Sequence, residues 1–327
     1  VGGPKAYETA VVVRAPAGLA GTIFWGGRTS GWMLFPSQLP DQTELMGRSA
    51  RVVAISRDAA WRSNHIFTEA ETKDELVDAF NRSVLARDGM NPDDRGESLT
   101  IPANTKIQVA VDCGEYVCAY PVLTMKGAKG SRVSWTWTES AREPKKEGDK
   151  YPHKGQRDQL VGKYLDGYGD VFVCDGEEGS FSAPWFRCGR WCRLDIDTGA
   201  EPLVISELKF VESRYPVEQE SVFSTSQDDT IAGIRKICTR AMQMCDHEML
   251  FDCPYYEQQM YPGDTRVQLN VLSALSRDDR MIKRAIEIYD LNTRDDGMCP
   301  MNFPTRGLQE SLTYTLCYLG MYGDYVM

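Results

Sequence analysis

Three carboxylates and three tyrosines stand close together in the segment 251–266, Phe-Asp-Cys-Pro-Tyr-Tyr-Glu-Gln-Gln-Met-Tyr-Pro-Gly-Asp-Thr-Arg. The acids are Asp252, Glu257 and Asp264. Carboxyl groups held at fixed distances around one cavity can serve as general acid and general base, which the hydrolysis of a glycosidic bond requires. Pro254 and Pro262 lack a backbone N–H, so one continuous helix is disfavoured. We therefore interpret the segment as a structured active-site loop between helices. The alternative is a solvated acidic loop above packed tyrosines.

The spacing of these acids resembles the signature of α-L-rhamnosidases, glycoside hydrolase family 78, and their six-hairpin relatives. Members of that family read Asp-Cys-Pro-Gln-Arg-Asp-Glu-Arg-Leu-Gly-Trp-Thr-Gly-Asp, and their general acid is the Glu seven residues before the last Asp. Glu257 stands at that position relative to Asp264. Counted from Asp252 the chain is one residue shorter, and Met260 and Tyr261 replace Gly and Trp of the motif. These departures indicate a separate branch, so the class of enzyme is better defined than the sugar.

The resemblance implies an inverting hydrolysis of terminal α-L-rhamnose, or a related sugar, with Glu257 as the general acid. A carboxylic acid carries a proton at neutral pH where burial or a neighbouring carboxylate favours its protonated form. Asp252 and Asp264 match the first and last acids of the motif, so we expect them to keep that proton on Glu257 and to bind sugar hydroxyls. Tyr255, Tyr256 and Tyr261 are predicted to contact the substrate, with simple packing as the alternative for each. Arg266 is also a predicted substrate contact, but its main expected role is to pair with Asp264 and support the loop.

The resemblance places the general base on a later helical hairpin, beyond residue 327. Glu310 is the only acid between Pro300 and Gly323, and its surroundings resemble an earlier hairpin, so it is not assigned as the base. We expect residues 1–327 to be part of a longer enzyme and inactive alone. Some family members bind structural calcium, but the resemblance implies no cofactor and no metal site is predicted.

Composition narrows the range of partners. The chain of 327 residues has 47 acidic and 37 basic residues and a formal net charge of −10, which disfavours nucleic acid and anionic membranes. No apolar run approaches the roughly 18 residues of a membrane span. A carbohydrate substrate is the expected partner, and the oligomeric state is left open. Residues 1–4 show neither region of a signal peptide, but a leader can be removed, so the compartment also stays open between cytoplasm and export.

Ten scattered cysteines carry no metal signature. The close pairs Cys188 with Cys192 and Cys113 with Cys118 have no histidine nearby, and a zinc site is therefore not predicted. Six cysteines fall in apolar strand or helix patterns and are predicted to be small core residues. They are Cys113, Cys118, Cys174, Cys238, Cys245 and Cys317.

Strand patterns precede helical ones along the chain, which predicts a multidomain β + α protein. Residues 1–98 are predicted as a β-rich N-terminal region, incomplete at its start, with one helix near 73–86 behind a capping box. Its predicted strands are 9–13, 22–25, 51–55 and 65–67. Residues 99–215 alternate with period two and predict a β-sandwich domain. The run 111–116, a Gly-rich turn and a strand ending at Ser140 resemble the β-domain that precedes the catalytic domain of rhamnosidases. Trp135 and Trp137 share one strand face, and sheet core is favoured there over a sugar platform.

The apolar period changes in residues 216–327. Helices are predicted from a cap formed by Ser226 with Asp229 to about Glu248, at 267–275, at 279–291 and at 308–322. The inward face of the first is predicted to be Ile231, Ile234, Cys238, Ala241 and Cys245, and that of the third Ile282, Ala285, Ile286 and Tyr289. The resemblance implies the first hairpins of a truncated (α/α)6 six-hairpin barrel. Such a truncated barrel is expected to leave apolar faces exposed at Ile282, Ile286, Leu312 and Leu316.

Other functions fit parts of the pattern. A carbohydrate-binding or inactive six-hairpin protein would rely on exposed aromatic residues of the strands and would not need three acids between prolines. Another six-hairpin glycosidase or a lyase is a further alternative, because fold does not determine chemistry.

Overall fold

The computed structural model describes residues 37–46, 50–83, 85, 98–224, 229–305 and 309–327. The chain divides into two compact units, one from Glu44 to Ser213 and one that joins residues 37–43 to Arg214–Met327. The predicted strands at 9–13 and 22–25 lie outside the described residues. The predicted domain boundaries stay predictions; a strand that precedes residue 98 pairs, within the first unit, with one that follows it.

Nine strands form one curled sheet in the first unit. They are β1 Thr43–Met46, β2 Arg51–Ser56, β3 Leu99–Ile101, β4 Lys106–Lys126, β5 Arg132–Thr138, β6 Tyr168–Val173, β7 Gly179–Ser182, β8 Arg187–Asp197 and β9 Leu203–Arg214. The hydrogen-bonded order is β1-β9-β4-β8-β5-β6, while β2 and β7 also pair with β4 and β3 pairs with β9. The register of β4 against β8 shifts between Asp112 and Val117, where irregular pairing bends a strand. The region predicted as a β-sandwich is one continuous sheet, in which β4 pairs with β2, β7, β8 and β9.

The core of this sheet contains the two tryptophans of β5. Trp135 and Trp137 are fully buried, and their rings stack with centroids 6.1 Å apart. Phe210 of β9 meets the ring of Trp135 edge-on at 5.2 Å. The prediction of a core role is confirmed, and these two rings offer no platform for a sugar.

Two local predictions for the first unit were wrong in detail. Residues 65–67 form no strand, because the Phe67 N–H donates to the Lys163 carbonyl at 2.9 Å in a contact between loops. The predicted helix is shorter, α1 Glu75–Ser83. The N–H of Leu76 donates to the Asp74 carboxylate at 2.9 Å, so Asp74 takes the capping role predicted for Thr72.

The second unit contains four helices among its described residues, α2 Asp229–Cys245, α3 Pro262–Leu275, α4 Arg280–Asp290 and α5 Leu312–Val326. α3 begins five residues earlier than predicted, because Pro262 occupies its first turn, where the missing N–H needs no partner. Pro262 therefore starts a helix instead of interrupting one. α3 packs against α2, α4 and α5. None of the helices in the described parts of the chain has the length and apolar character needed to cross a membrane.

The helices differ in how they cover their apolar faces. On α4, Ile282, Ala285, Ile286 and Tyr289 are buried, which confirms the inward face and makes the expected exposure of Ile282 and Ile286 wrong. On α5, Leu312 and Leu316 are exposed as expected.

The inward face predicted for α2 was wrong. Ile231, Ile234, Cys238 and Ala241 are exposed, while Met242 and Met244 are buried. Of the four exposed residues, Cys238 lines an open groove of about 400 Å³ between α2 and α3, together with residues that include Arg235 and Val271. The buried contacts of α2 are at its C-terminal end.

None of the ten cysteines forms a disulfide. Cys113, Cys118 and Cys174 are buried as predicted, whereas Cys238 is exposed and Cys245 and Cys317 are half-buried. The sulfur atoms of Cys113 and Cys192 lie 4.0 Å apart, and burial raises the pKa of Cys192 well above its ordinary value.

Candidate active site

The acidic segment forms a closed loop between α2 and α3. The Asp252 N–H donates to the Gln259 carbonyl at 2.8 Å, and the Gln259 N–H donates to the Asp252 carboxylate at 3.2 Å. These two bonds tie the ends of a turn that contains Glu257. Met260, at the end of the loop, accepts the Phe303 N–H at 3.0 Å. The loop is thus fixed by backbone bonds at its base and along its second half.

Glu257 lies exposed on the turn of this loop. Its backbone N–H donates to the Cys253 sulfur at 3.3 Å. The next residue, Gln258, adopts a left-handed backbone with φ 52°, and its side chain bonds back to the Pro254 carbonyl at 2.7 Å. Non-glycine residues rarely adopt that conformation, and where they do the surroundings enforce it. The backbone at Glu257 is therefore held by its neighbours and not by burial.

Tyr261 bonds directly to Glu257. Its hydroxyl Oη lies 2.5 Å from Glu257 Oε2. This hydrogen bond, together with burial, raises the pKa of Tyr261 to about 12. The ring packs against Tyr314 of α5 with centroids 6.1 Å apart. Sequence reasoning assigned Tyr261 only a contact with the sugar, and the bond to Glu257 was missed.

Asp264 stands in the first turn of α3. Loss of solvent raises the pKa of its carboxyl group, and the negative charges of Asp252 and Glu257 raise it further. The charges of the other two acids thus act on Asp264, whereas the sequence analysis expected Asp252 and Asp264 to keep the proton on Glu257. That assignment to Glu257 stays a prediction. Asp264 is the member on which this environment favours a retained proton.

Cys253 brings a sulfur atom to the same place. Ligand atoms of Asp252, Cys253 and Glu257 lie within 4.8 Å of one another. A structural zinc site uses four ligands, and here the carboxylate of Asp252, the sulfur of Cys253 and Oε2 of Glu257 already accept bonds within the loop. We assign no metal to these atoms.

The other two tyrosines of the loop differ in exposure. Tyr255 is 9% exposed and Tyr256 is 52% exposed, and their rings meet edge-on at 4.8 Å. Tyr255 therefore packs beneath the loop and supports Tyr256. Of the two rings, Tyr256 is the one that presents a surface to a ligand, and its contact with sugar stays a prediction.

Arg266 pairs with a different acid from the one predicted. Its Nε and Nη2 atoms bond to the two carboxylate oxygens of Asp324 in α5, at 2.6 and 3.1 Å. Residues two apart on a helix do not face each other, so Asp264 points elsewhere. Gly320 makes this pairing possible, since a Cβ there would lie 2.4 Å from Arg266 Cζ. Arg266 thus joins α3 to α5.

Two further polar groups were missed by sequence reasoning. The side chain of Asn302 donates to the Gln259 side-chain oxygen, so the segment before α5 supports the loop. Asp246, at the end of α2, is fully buried, and neither carboxylate oxygen has a hydrogen-bond partner among the described residues. Burial, and then the charge of Asp278, raise the pKa of Asp246 well above its ordinary value. Neither residue belongs to a motif that the sequence displays.

Glu310, which the sequence analysis did not assign as the general base, forms an ion pair with Arg294. Both side chains are exposed. Such an exposed ion pair is weak, and the decision not to assign Glu310 as the general base stays a prediction.

Comparisons with known proteins agree with the resemblance of the loop. Residues 218–317 match the family described as the bacterial alpha-L-rhamnosidase 6 hairpin glycosidase domain. No curated protein matches the chain.

Solved rhamnosidases share the fold at low identity. A family 78 rhamnosidase of Bacillus sp. GL1 has a TM-score of 0.58 and 17% identity, covering 71% of this chain and 23% of that one. A rhamnosidase from Klebsiella oxytoca with rhamnose bound has a TM-score of 0.57 and 16% identity, covering 88% and 52%. An α-L-rhamnosidase from Dictyoglumus thermophilum has a TM-score of 0.50 and 12% identity, covering 69% and 25%. The chain thus spans about half the length of the Klebsiella protein and about a quarter of the other two. The resemblance to rhamnosidases predicted from the sequence is confirmed: residues 218–317 match the bacterial α-L-rhamnosidase six-hairpin domain, and the chain is similar in fold to solved rhamnosidases.

Proposed function

We propose that the protein is a glycoside hydrolase that removes terminal α-L-rhamnose, or a related sugar, from plant glycans or glycosides with inversion at the anomeric carbon. The observation that carries this proposal is the placement of Glu257. It is an exposed carboxyl group on a turn fixed by its own bonds, inside the segment that matches the rhamnosidase domain.

Glu257 is the proposed general acid. Cleavage of the glycosidic bond leaves an electron pair on the departing oxygen, and a positioned carboxylic acid supplies the proton that neutralises it. In an inverting hydrolysis a second carboxylate, about 6.5–9.5 Å away, activates a water on the opposite face of the sugar. Partial burial, and then the charges of Asp252 and Glu257, raise the pKa of Asp264, so Asp264 is the acid of this cluster that favours a retained proton.

A catalytic function is better supported than carbohydrate binding without catalysis. The two tryptophans considered for a sugar platform, Trp135 and Trp137, are fully buried in the sheet. The acid loop, in contrast, presents Glu257 and Tyr256 to solvent. These exposed groups are a proton donor and a flat ring, the kinds of group that a glycosidase uses on its substrate.

Hydrolysis of a panel of nitrophenyl glycosides by the complete natural protein tests the proposal. We expect release from the α-L-rhamnoside, and β-L-rhamnose as the first sugar seen by NMR. Glu257→Gln should lower kcat on a rhamnoside with a poorly leaving aglycone by about 10²- to 10⁴-fold. Glu248→Gln, at another exposed glutamate of the same unit, should have no effect.

Each part of the proposal has its own contrary result. If the protein prefers a different glycoside, the assignment of rhamnose as the substrate sugar is wrong. If α-L-rhamnose is the first product, inversion is excluded. Full activity of Glu257→Gln would remove Glu257 as the acid.

A further inference from the structure

We infer that Tyr261 is the residue that orients Glu257, fixing Oε2 so that Oε1 carries the proton delivered to the leaving group. This inference rests on the proposed function and gives Tyr261 a positioning role in place of the sugar contact predicted from the sequence. It concerns one hydrogen bond, from Tyr261 Oη to Glu257 Oε2 at 2.5 Å.

Glu257 has little else to hold its side chain. The residue is exposed, so packing does not restrict its rotamers. The bond from Cys253 fixes the backbone N–H of Glu257 and leaves the carboxyl group untouched. Among the described residues, the bond from Tyr261 is the one that reaches the carboxyl group, and Oε1 has no partner there. An exposed glutamate without that bond would distribute its proton between two oxygens and several rotamers.

Tyr261 itself is well anchored. It is the residue before α3, and its carbonyl accepts the Thr265 N–H at 2.8 Å. Its chain neighbours, Met260 and Pro262, are both buried. The ring packs on Tyr314. A side chain fixed at both its backbone and its ring can hold a flexible partner at a constant distance.

The hydroxyl of Tyr261 acts as a donor at every working pH, because its pKa lies at about 12. Its donation is stronger to a carboxylate than to a neutral acid. In the reaction, the O–H bond at Glu257 Oε1 breaks and its proton goes to the glycosidic oxygen. The bond from that oxygen to the anomeric carbon breaks and leaves its electron pair on the oxygen, while the water activated by the general base supplies the electron pair of the new bond to the anomeric carbon and gives its proton to the base. Glu257 becomes a carboxylate, and Tyr261 stabilises the charge that forms on it. The bond therefore assists proton transfer more than it assists binding.

The test is the variant Tyr261→Phe in the complete natural protein, assayed on rhamnosides whose aglycones differ in leaving ability. The change keeps the ring and its packing and removes the hydroxyl alone. With a poorly leaving alcohol, which needs the proton, kcat should fall about 10- to 100-fold. With dinitrophenol, which leaves without protonation, kcat should fall less than about threefold, and KM should change less than about twofold on both substrates.

Two matched variants complete the design. Tyr314→Phe removes a neighbouring phenol that does not bond to Glu257 and should behave as the wild type. Tyr261→Trp offers an indole N–H donor and should restore part of the lost kcat on the poor leaving group.

The outcomes separate this inference from the proposed function. A wild-type protein that cleaves no rhamnoside defeats the proposed function. A wild-type protein that does cleave them, with Tyr261→Phe either fully active or impaired equally for all aglycones, overturns the orienting role. A rise in KM without loss of kcat would return Tyr261 to the sugar contact predicted from the sequence.

Discussion

The sheet of the first unit and the helices of the second unit differ in how completely they cover apolar side chains. In the sheet, the large rings at its centre, such as Trp135 and Trp137, are shielded by neighbouring strands of the same curled surface. In the helical unit, α4 buries Ile286, while α2 exposes Ile234 by 54% and Ile237 by 70%. A curled sheet closes over its own side chains, whereas a helix depends on another element to cover its stripe.

Buried charge shows the same contrast. Asp195 of the sheet accepts bonds from Arg193 Nε at 2.9 Å, from Gln108 Nε2 at 2.7 Å and from the Arg62 N–H at 2.8 Å. Asp246 of the helical unit is equally buried and accepts none among the described residues. A buried carboxylate with several donors can stay charged, and one without them is destabilised by ionisation. The carboxylate of Asp195 is thus satisfied by its donors, and that of Asp246 is not.

The largest effect that sharpens this comparison is expected from Trp137→Ala. Loss of a fully buried indole removes apolar contact and leaves a cavity, which costs about 3–5 kcal/mol. Urea unfolding followed by far-UV circular dichroism measures it. Trp185→Ala is the control, because Trp185 is 40% exposed, and it should cost far less. Equal losses at the two positions would mean that the sheet is no better covered at its centre than at its surface.

The next effect concerns the unpartnered acid. Asp246 ionises near pH 4 in the unfolded chain, whereas the folded protein keeps its proton to higher pH because of burial and the charge of Asp278. At a pH between the unfolded and the folded pKa of Asp246, unfolding releases a proton. The contribution of Asp246 to the free energy of unfolding is therefore complete below pH 4 and decreases as pH rises, by up to about 1.4 kcal/mol per pH unit. Asp246→Asn should abolish this slope and gain on the wild type as pH rises. Unfolding free energies from pH 4 to pH 8 test the difference.

Glu248→Gln serves as the control for that series, because Glu248 is close by in sequence but exposed. Its pH dependence should follow the wild type. A slope that survives in Asp246→Asn would mean that another group titrates, and would weaken the contrast with the satisfied Asp195.

Sequence periodicity predicted the existence and type of the elements better than their partners. The alternation in β4, β5 and β8 and the apolar stripe on α4 were sufficient to predict these strands and this helix, because local spacing determines which side chains share a face. The stripe on α2 had the same spacing, yet Ile234 is exposed and Cys238 lines an open groove. Spacing states which residues share a face, and a neighbour far along the chain decides whether that face is covered.

The candidate site followed the same division. The cluster of Asp252, Glu257 and Asp264 was visible because a short loop must keep its acids together. The ion pair of Arg266 with Asp324 was not predictable, because it spans 58 residues and depends on how α3 packs on α5. The bond from Tyr261 to Glu257 spans only four residues. It was missed because Gln258 adopts a left-handed backbone, and the sequence has no glycine at that position to predict such a turn.

The smallest expected effect comes from replacing isoleucine by valine on α2 and on α4, and it tests whether the exposed face of α2 is also exposed to solvent in solution. Ile286 on α4 and Ile237 on α2 are both β-branched residues in helices, and their replacement by valine removes one methyl-sized group without changing helix propensity much. At the buried Ile286 the change should cost about 0.5–1.5 kcal/mol. At Ile237, which is 70% exposed, the cost should stay within about 0.5 kcal/mol. Parallel urea titrations of Ile286→Val and Ile237→Val measure the two costs under one set of conditions. If the loss at Ile237 equals that at Ile286, the face of α2 is covered in solution, and the helical unit is as closely packed as the sheet.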